Sequence, residues 1–296
     1  MKNIYFGKIY ALDEILSLKE KICLCEQQIK FLNPILQKTT AVEEDFANLT
    51  LKVTFFHGSR FVRTLCFSSY RAAQLFSSKP EQQQALSEIF GKTDSLGNIV
   101  LTAGAEGLSE ALIRNASWFI RSSDTLEQGD FMILPNEWRA IDGRGMALFE
   151  RFGKIDHAYR QVFLIMLALA YYDALHQISE ELAAMLVEPI NVEELDKLYT
   201  EAAVFNARYY FDNPVEFSRY ALFQAWQDVR EAYHLREKNA EVTSQLAQVH
   251  QILSYTQQKK EQTANEERNL KLAVFGITLS ILGIVEVIDI VSNWLS

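Results

Sequence analysis

The hydrophobic pattern divides the chain into four parts. Up to about residue 142 short apolar runs alternate with polar positions, and strand and helix signals are mixed. Ile4–Tyr10 and Thr50–Phe56 read as strands, and His57-Gly58-Ser59-Arg60 reads as a hairpin turn into a further alternating segment, Phe61–Phe67. Helices are expected at about Leu12–Leu32, ended by Asn33-Pro34, and at Tyr70–Phe76, Pro80–Phe90 and Glu106–Arg121. Asn98–Thr102 and Phe131–Leu134 complete an α+β domain of about five strands.

A glycine-containing junction, Ile141-Asp142-Gly143-Arg144-Gly145, opens the second part, a helical section over 143–211. Met146–Leu186 reads as one helix, and its centre, Val162–Tyr172, is apolar on every side. That run is too short to span a bilayer and reads as a buried core helix. Val192–Phe211 adds an aromatic-rich helix.

The third part, 212–270, is a long stalk. Asn213 can cap a helix and Pro214 suits its first turn, and from Val215 to Phe275 there are 61 residues without glycine or proline. Unbroken, they would form a rod of about 90 Å. Phe217, Leu222, Phe223, Trp226, Val229 and Tyr233 are expected to pack on the body, with Tyr220 also a packing residue. Val242, Leu246, Val249, Leu253 and Thr256 follow the 4-3-4-3 spacing of a coiled-coil seam, which then turns polar at Lys260, Thr263 and Glu267.

The fourth part, 271–296, is expected to cross a membrane. Leu272–Leu295 reads LAVFGITLSILGIVEVIDIVSNWL, 24 residues with no lysine or arginine and two carboxylates, Glu286 and Asp289. As a helix it would be about 36 Å long, against a hydrocarbon core of about 30 Å. Lys259, Lys260, Arg268 and Lys271 precede it and no cation follows, so the positive-inside rule keeps the N-terminal mass in the cytoplasm. The expectation is a single-pass protein of the cell inner membrane, with no signal peptide at its start. Trp294 stands at an interfacial position, and Gly276 and Ser280 share one face. Glu286, Asp289 and Asn293 share a stripe with Phe275 and Leu282, so in a homo-oligomer Phe275, Leu282, Glu286 and Asp289 would line a pore.

Composition limits the remaining classes. The chain has 296 residues, 49% of them hydrophobic, and a formal net charge of −9, which excludes wholesale disorder and general nucleic-acid binding. Three cysteines, Cys23, Cys25 and Cys66, make neither a disulfide framework nor a zinc pattern. The five histidines lack metal-ligand spacing, and no catalytic signature, cofactor motif or metal site is expected. Leu101–Ser109 is a strand, a glycine-containing turn and a helix start, without the lysine of a P-loop. Arg60, Arg63 and Arg71 form a basic group near the hairpin, read as a solvated or salt-bridged surface. Arg151 and His157 have a spacing similar to that of the HEPN ribonucleases.

The order of parts resembles the plan of the CorA-type divalent-cation transporters: an α+β domain, helices, a long helix after Asp212-Asn213-Pro214, then an apolar span. The resemblance implies a funnel-shaped cytosolic body whose stalk feeds a pore-lining helix. The chain has neither that family's Gly-Met-Asn signature nor a second span after the first, so the family's selectivity residues map to no position here. The resulting expectation is an oligomeric membrane protein whose cytosolic sensor or effector body, triggered by a protein or nucleotide, forms a pore or perturbs the bilayer. Membrane effectors of immunity and stress systems, antiviral defence among them, provide an analogy. The alternatives are a tail-anchored scaffold that recruits a partner, and a soluble HEPN-like nuclease built on Arg151 and His157.

Overall fold

The structure is a computed structural model that describes residues 3–45, 50–91, 94–187 and 191–295, with side chains through Ala273 apart from several between 256 and 271. It contains an N-terminal sheet domain followed by helices, among them the long apolar helix at 155–185. The strands of the main sheet are β1 (Asn3–Leu12), β4 (Ala41–Asp45), β5 (Thr50–Phe55), β6 (Arg63–Ala72), β7 (Gly97–Ala103), β8 (Met132–Ile133), β9 (Glu137–Asp142) and β10 (Gly145–Glu150). They lie in the order β4-β5-β6-β1-β7-β10-β9-β8. Only the β7–β10 pair is parallel; the other neighbours in this sheet run antiparallel. A small ribbon, β2 (Cys23–Leu24) with β3 (Gln27–Gln28), stands apart.

Alternation along the strands sends two sets of side chains to opposite faces. Phe6, Val100, Ala147 and Phe149 meet α2 (Lys79–Phe90) and α3 (Glu110–Arg121). Ile9, Leu65, Phe67, Ile99, Leu101, Met146 and Leu148 belong to the larger core on the other face, which is built around α4 (Ile155–Met185). Beyond α4 lie α5 (Val192–Arg208), α6 (Tyr220–Ala232) and α7 (Leu235–Leu295). The first helix, α1 (Pro34–Lys38), is a short turn capped by the Asn33 side chain.

α4 is long and apolar enough to cross a membrane, yet 72% of its apolar window is buried. It lies between the sheet and the outer helices, which is why it needs no polar face. The reading of Val162–Tyr172 as a core helix therefore holds.

Several expected elements differ. Leu12–Leu32 is not a helix: Leu12 ends β1, Leu16, Ile22, Leu24 and Ile29 are buried, and β2 and β3 pair around a turn with Cys25 and Glu26 at φ 52° and 58°. The Leu16 amide donates to Thr54 Oγ1 and that of Cys25 to the Glu44 carboxylate, so tertiary partners override helix propensity. Tyr70–Ala72 continues β6 because it pairs with Ile4–Phe6. Gly143 and Arg144, where the helical section was expected to open, form the turn between β9 and β10. Met146–Glu150 is accordingly a strand, and the helix expected from Met146 starts at Ile155.

The rod expected from Val215 is interrupted. Residues 213–216 instead run beside residues 31–33: Asn33 donates to the Pro214 carbonyl, Glu216 to that of Phe31, and Leu32 bridges Val215. Helix begins at Tyr220 and breaks at Tyr233-His234, where His234 has φ 49°. The expected coiled-coil seam is occupied within the chain itself. Val242 and Leu246 are buried in the larger core, with Val249 and Leu253 packed against it.

Candidate functional site

On β9 the alternating positions Glu137, Arg139 and Ile141 face α4 and α6, where neighbouring strands present apolar groups. Glu137 and Arg139 are each 3% exposed. Two charged groups at that depth require partners, and the first turns of α4 supply them: His157 and Gln161 are four residues apart and thus on one helix face. His157 Nε2 lies 3.0 Å from Glu137 Oε2, and Gln161 Nε2 donates to both Glu137 oxygens at 2.9 and 2.7 Å. Arg139 Nη1 donates to Glu137 Oε1 at 3.1 Å and to Gln161 Oε1 at 2.9 Å. Its Nη2 donates to Asp228 on α6.

The network has uneven electrostatics. Burial pushes the Glu137 carboxyl upward, but hydrogen bonds from His157 and Gln161 and the Arg139 charge outweigh it, leaving the group below its ordinary value. Asp228 is raised, by burial first, with Arg139 offsetting only part. Glu150, directly opposite Glu137 on β10, is also buried and accepts from the Lys154 amide at 2.8 Å. That places a carboxylate at the N-terminus of α4, where the helix dipole favours it.

Acid–base residue types are thus gathered together, but Glu137 is sealed from solvent. The open side is a cleft of about 270 Å³ lined by Asp130, Met132, Arg139, Ile141, Asp228, Glu231 and Ala232. The network joins β9, α4 and α6. Among the described residues, no group of three or more His, Cys, Asp and Glu side chains could hold a metal ion.

A second cluster fixes the joint between α6 and α7. Asp212 accepts from Arg230 on α6 at 2.8 Å and also from Arg236 on α7. The Arg236 hydrogen bond, with both arginine charges, holds the Asp212 carboxyl below the usual range despite partial burial. Trp226 Nε1 donates to the Asp212 carbonyl at 2.8 Å, and the Tyr210 hydroxyl donates to the Leu235 carbonyl at 3.1 Å. The joint thus has a bent backbone and clamped sides.

Beyond it, α7 leaves the body. Every described side chain from Ser254 to Ala273 is exposed, including Tyr255 at 67%, Leu270 at 68% and Leu272 at 59%. The side chains of Phe275, Leu282, Glu286 and Asp289 lie outside the described residues, as do those of Ser280 and Trp294; their backbone and that of Gly276 belong to α7.

The other sequence candidates resolve into structural roles. Arg151 stacks over Trp138 at 4.6 Å and donates to the Pro135 carbonyl, whereas His157 is engaged by Glu137. Ser59 Oγ accepts from the Phe61 amide in the β5–β6 turn. Arg60 pairs with Glu181 and Glu201, Arg63 with Asp173, and Arg71 donates to Asn3. In the Leu101–Ser109 turn, the Ala105 amide donates to the Glu150 carbonyl and Ser109 caps α3. Burial first, then Glu44 and Asp156, pushes the Cys25 thiol up to about 12, so it is not a thiolate at neutral pH. Trp226 and Tyr233 are buried as expected, whereas Phe217 is 71% and Tyr220 63% exposed.

The sequence reading missed Glu137, Arg139, Glu150, Gln161 and Asp228. The signal available was the polar Glu-x-Arg alternation in 137–141, beside a His157–Gln161 pair at helical spacing. No family model matches the chain, and neither a curated protein nor a solved structure matches it.

Proposed function

We propose that the chain is a membrane-tethered protein, with a folded body held at the cytoplasmic face of the inner membrane by the C-terminal part of α7. The observation that carries this reading is the course of that helix. It packs on the body as far as Leu253, then continues with exposed side chains into the 24-residue apolar stretch Leu272–Leu295. The described side chains after Leu253 are exposed, and a 24-residue apolar stretch that continues such a helix suits lipid as its solvent. Basic residues just before the stretch favour a cytoplasmic body.

The seam residues Val242 and Leu246 are used inside the chain, so self-association is assigned to the span. Spans gathered around Phe275, Leu282, Glu286 and Asp289 would form a cation-selective path, favoured by the common stripe those residues share. The body then acts as the sensor or effector that positions the spans through α6 and the joint at His234.

Alkaline extraction of membranes from cells making the full chain tests the tether: the protein stays in the pellet, and release into the supernatant contradicts the reading. Vesicle conductance tests the path. Glu286→Gln with Asp289→Asn should reduce cation selectivity, and unchanged selectivity removes the pore.

A further inference from the structure

The pairing of residues 31–33 with 214–216 builds a surface that neither segment suggests alone. The Glu216 amide donates to the Phe31 carbonyl, and the turn that follows, closed by Arg219 donating to the Glu216 carbonyl, lies beside the end of segment 27–31. A pocket of about 140 Å³ opens there, with Gln27, Lys30, Arg160 and Arg219 among its lining residues. Its lining holds three cations and no carboxylate, in a chain of net charge −9. Gln27 accepts a hydrogen bond from Arg160 and holds it at the rim. Lys30 and Arg219 have no ion-pair partner among the described residues. Arg219 also occupies the N-cap of α6 without a side-chain cap bond, so the positive end of that helix adds to the same field. The nearest carboxylate in the loop, Glu216, accepts from Ser218.

Flanking Arg219 in sequence are two strongly exposed aromatics, Phe217 at 71% and Tyr220 at 63%. Phe217 and Tyr220 have ring centroids 6.4 Å apart, and Phe217 packs edge-on against Phe223 at 5.2 Å. Large aromatic groups left in water next to unpaired cations are the composition of a membrane-interface contact: rings enter the headgroup layer while cations meet phosphate. The pocket is smaller than the roughly 300–1,000 Å³ of a drug-sized ligand site, and it has room for a headgroup phosphate.

We propose that Lys30, Arg160 and Arg219 bind the phosphate of an anionic lipid headgroup while Phe217 and Tyr220 insert beside it, giving the body its own contact with the bilayer. The proposal rests on the tethered reading for its setting but uses different residues. Tether and patch therefore fail separately.

The full chain is mixed with vesicles of phosphatidylcholine alone or of phosphatidylcholine with phosphatidylglycerol, and flotation and amide hydrogen exchange are measured on the same samples. Exchange over 216–223 should slow roughly tenfold or more only where phosphatidylglycerol is present. Lys30→Glu with Arg219→Glu should abolish that slowing, as should Phe217→Ser with Tyr220→Ser. All four positions are exposed, and unchanged protection of β10 confirms the fold of each variant. A chain that floats on both vesicles without slowing over 216–223, or with equal slowing on both, overturns the headgroup site and leaves the span intact. Flotation on phosphatidylglycerol vesicles alone supports the site and overturns the span. Equal slowing by inorganic phosphate in detergent, without vesicles, overturns lipid as the ligand.

Discussion

Arg139 on β9 donates to Asp228 on α6, and this contact ties the sheet to the helix that leads into the stalk. The guanidinium is 2% exposed and is shared with Glu137 and Gln161, so one side chain connects strand, core helix and outer helix. The network is therefore a link between the sheet, the core helix and the outer helix, while α7 packs mainly on α4 and α5.

Replacing Arg139 should be costly because a buried carboxylate, Glu137, and a half-buried one, Asp228, lose their common partner. Breaking a buried pair in this way costs about 3–5 kcal/mol. Arg139→Met is expected to lower the unfolding free energy measured in urea by that order, with Asp228→Asn costing less because Glu137 and Gln161 still satisfy the guanidinium. A neutral Arg139→Met would remove the link.

Asp212 gives the joint a pH dependence. Its folded-state carboxyl titrates below its unfolded value, so its stabilisation is present above the unfolded value and is lost as pH falls through the folded one. Acidification below the ordinary carboxylate range should lower the amide protection factors of Tyr233 and Lys238, which donate to the Val229 and His234 carbonyls at the joint, before β10 responds. Asp212→Asn should show that low protection already at neutral pH, with little further change on acidification.

Two glycines mark where backbones approach closely. A Cβ at Gly7 would lie 2.3 Å from Phe67 Cε2, a side chain that can give only by repacking, so Gly7→Ala should cost about 1–3 kcal/mol. At Gly145, with φ 154°, it would lie 1.8 Å from the Asn98 carbonyl oxygen, and backbone must move. Gly145→Ala should destabilise more than Gly7→Ala, while Gly143→Ala, with nothing within 4 Å, should be nearly neutral by thermal unfolding.

The start of α7 belongs to the core. Leu246, 6% exposed, packs within the chain, so Leu246→Ala should cost about 2–5 kcal/mol and leave subunit number unchanged. Sedimentation and denaturant unfolding together separate this from a coiled-coil role, in which subunit number would fall.

The sequence was readable where one physical demand dominated. β1, β5 and β7 carry apolar strand patterns, and the run inside α4 is too short and too apolar for anything but a core. β10 was missed because Gly-Met-Ala-Leu-Phe-Glu is buried on both faces and shows no alternation, so it reads as the beginning of the helix that follows. The break at His234 carries no glycine or proline; it coincides with Asp212, in a distant loop, pairing with Arg230 and Arg236 on either side of it. Val242 and Leu246 show the same ambiguity, since a 4-3 apolar stripe fits a partner helix and the chain's own core equally well. The Glu137–Arg139 network required knowing that β9, α4 and α6 meet, which no local pattern records.

The tail is tested most directly by chemical accessibility. In a chain whose native cysteines are replaced by serine, single cysteines are placed at Gln258, Asn265, Thr278 and Ile281, and the protein in sealed vesicles is treated with a membrane-impermeant maleimide. Rapid labelling at Gln258 and Asn265 with protection at Thr278 and Ile281, relieved by detergent, is the expected result. Equal labelling at all four positions in intact vesicles would show that water, not lipid, surrounds the C-terminal helix.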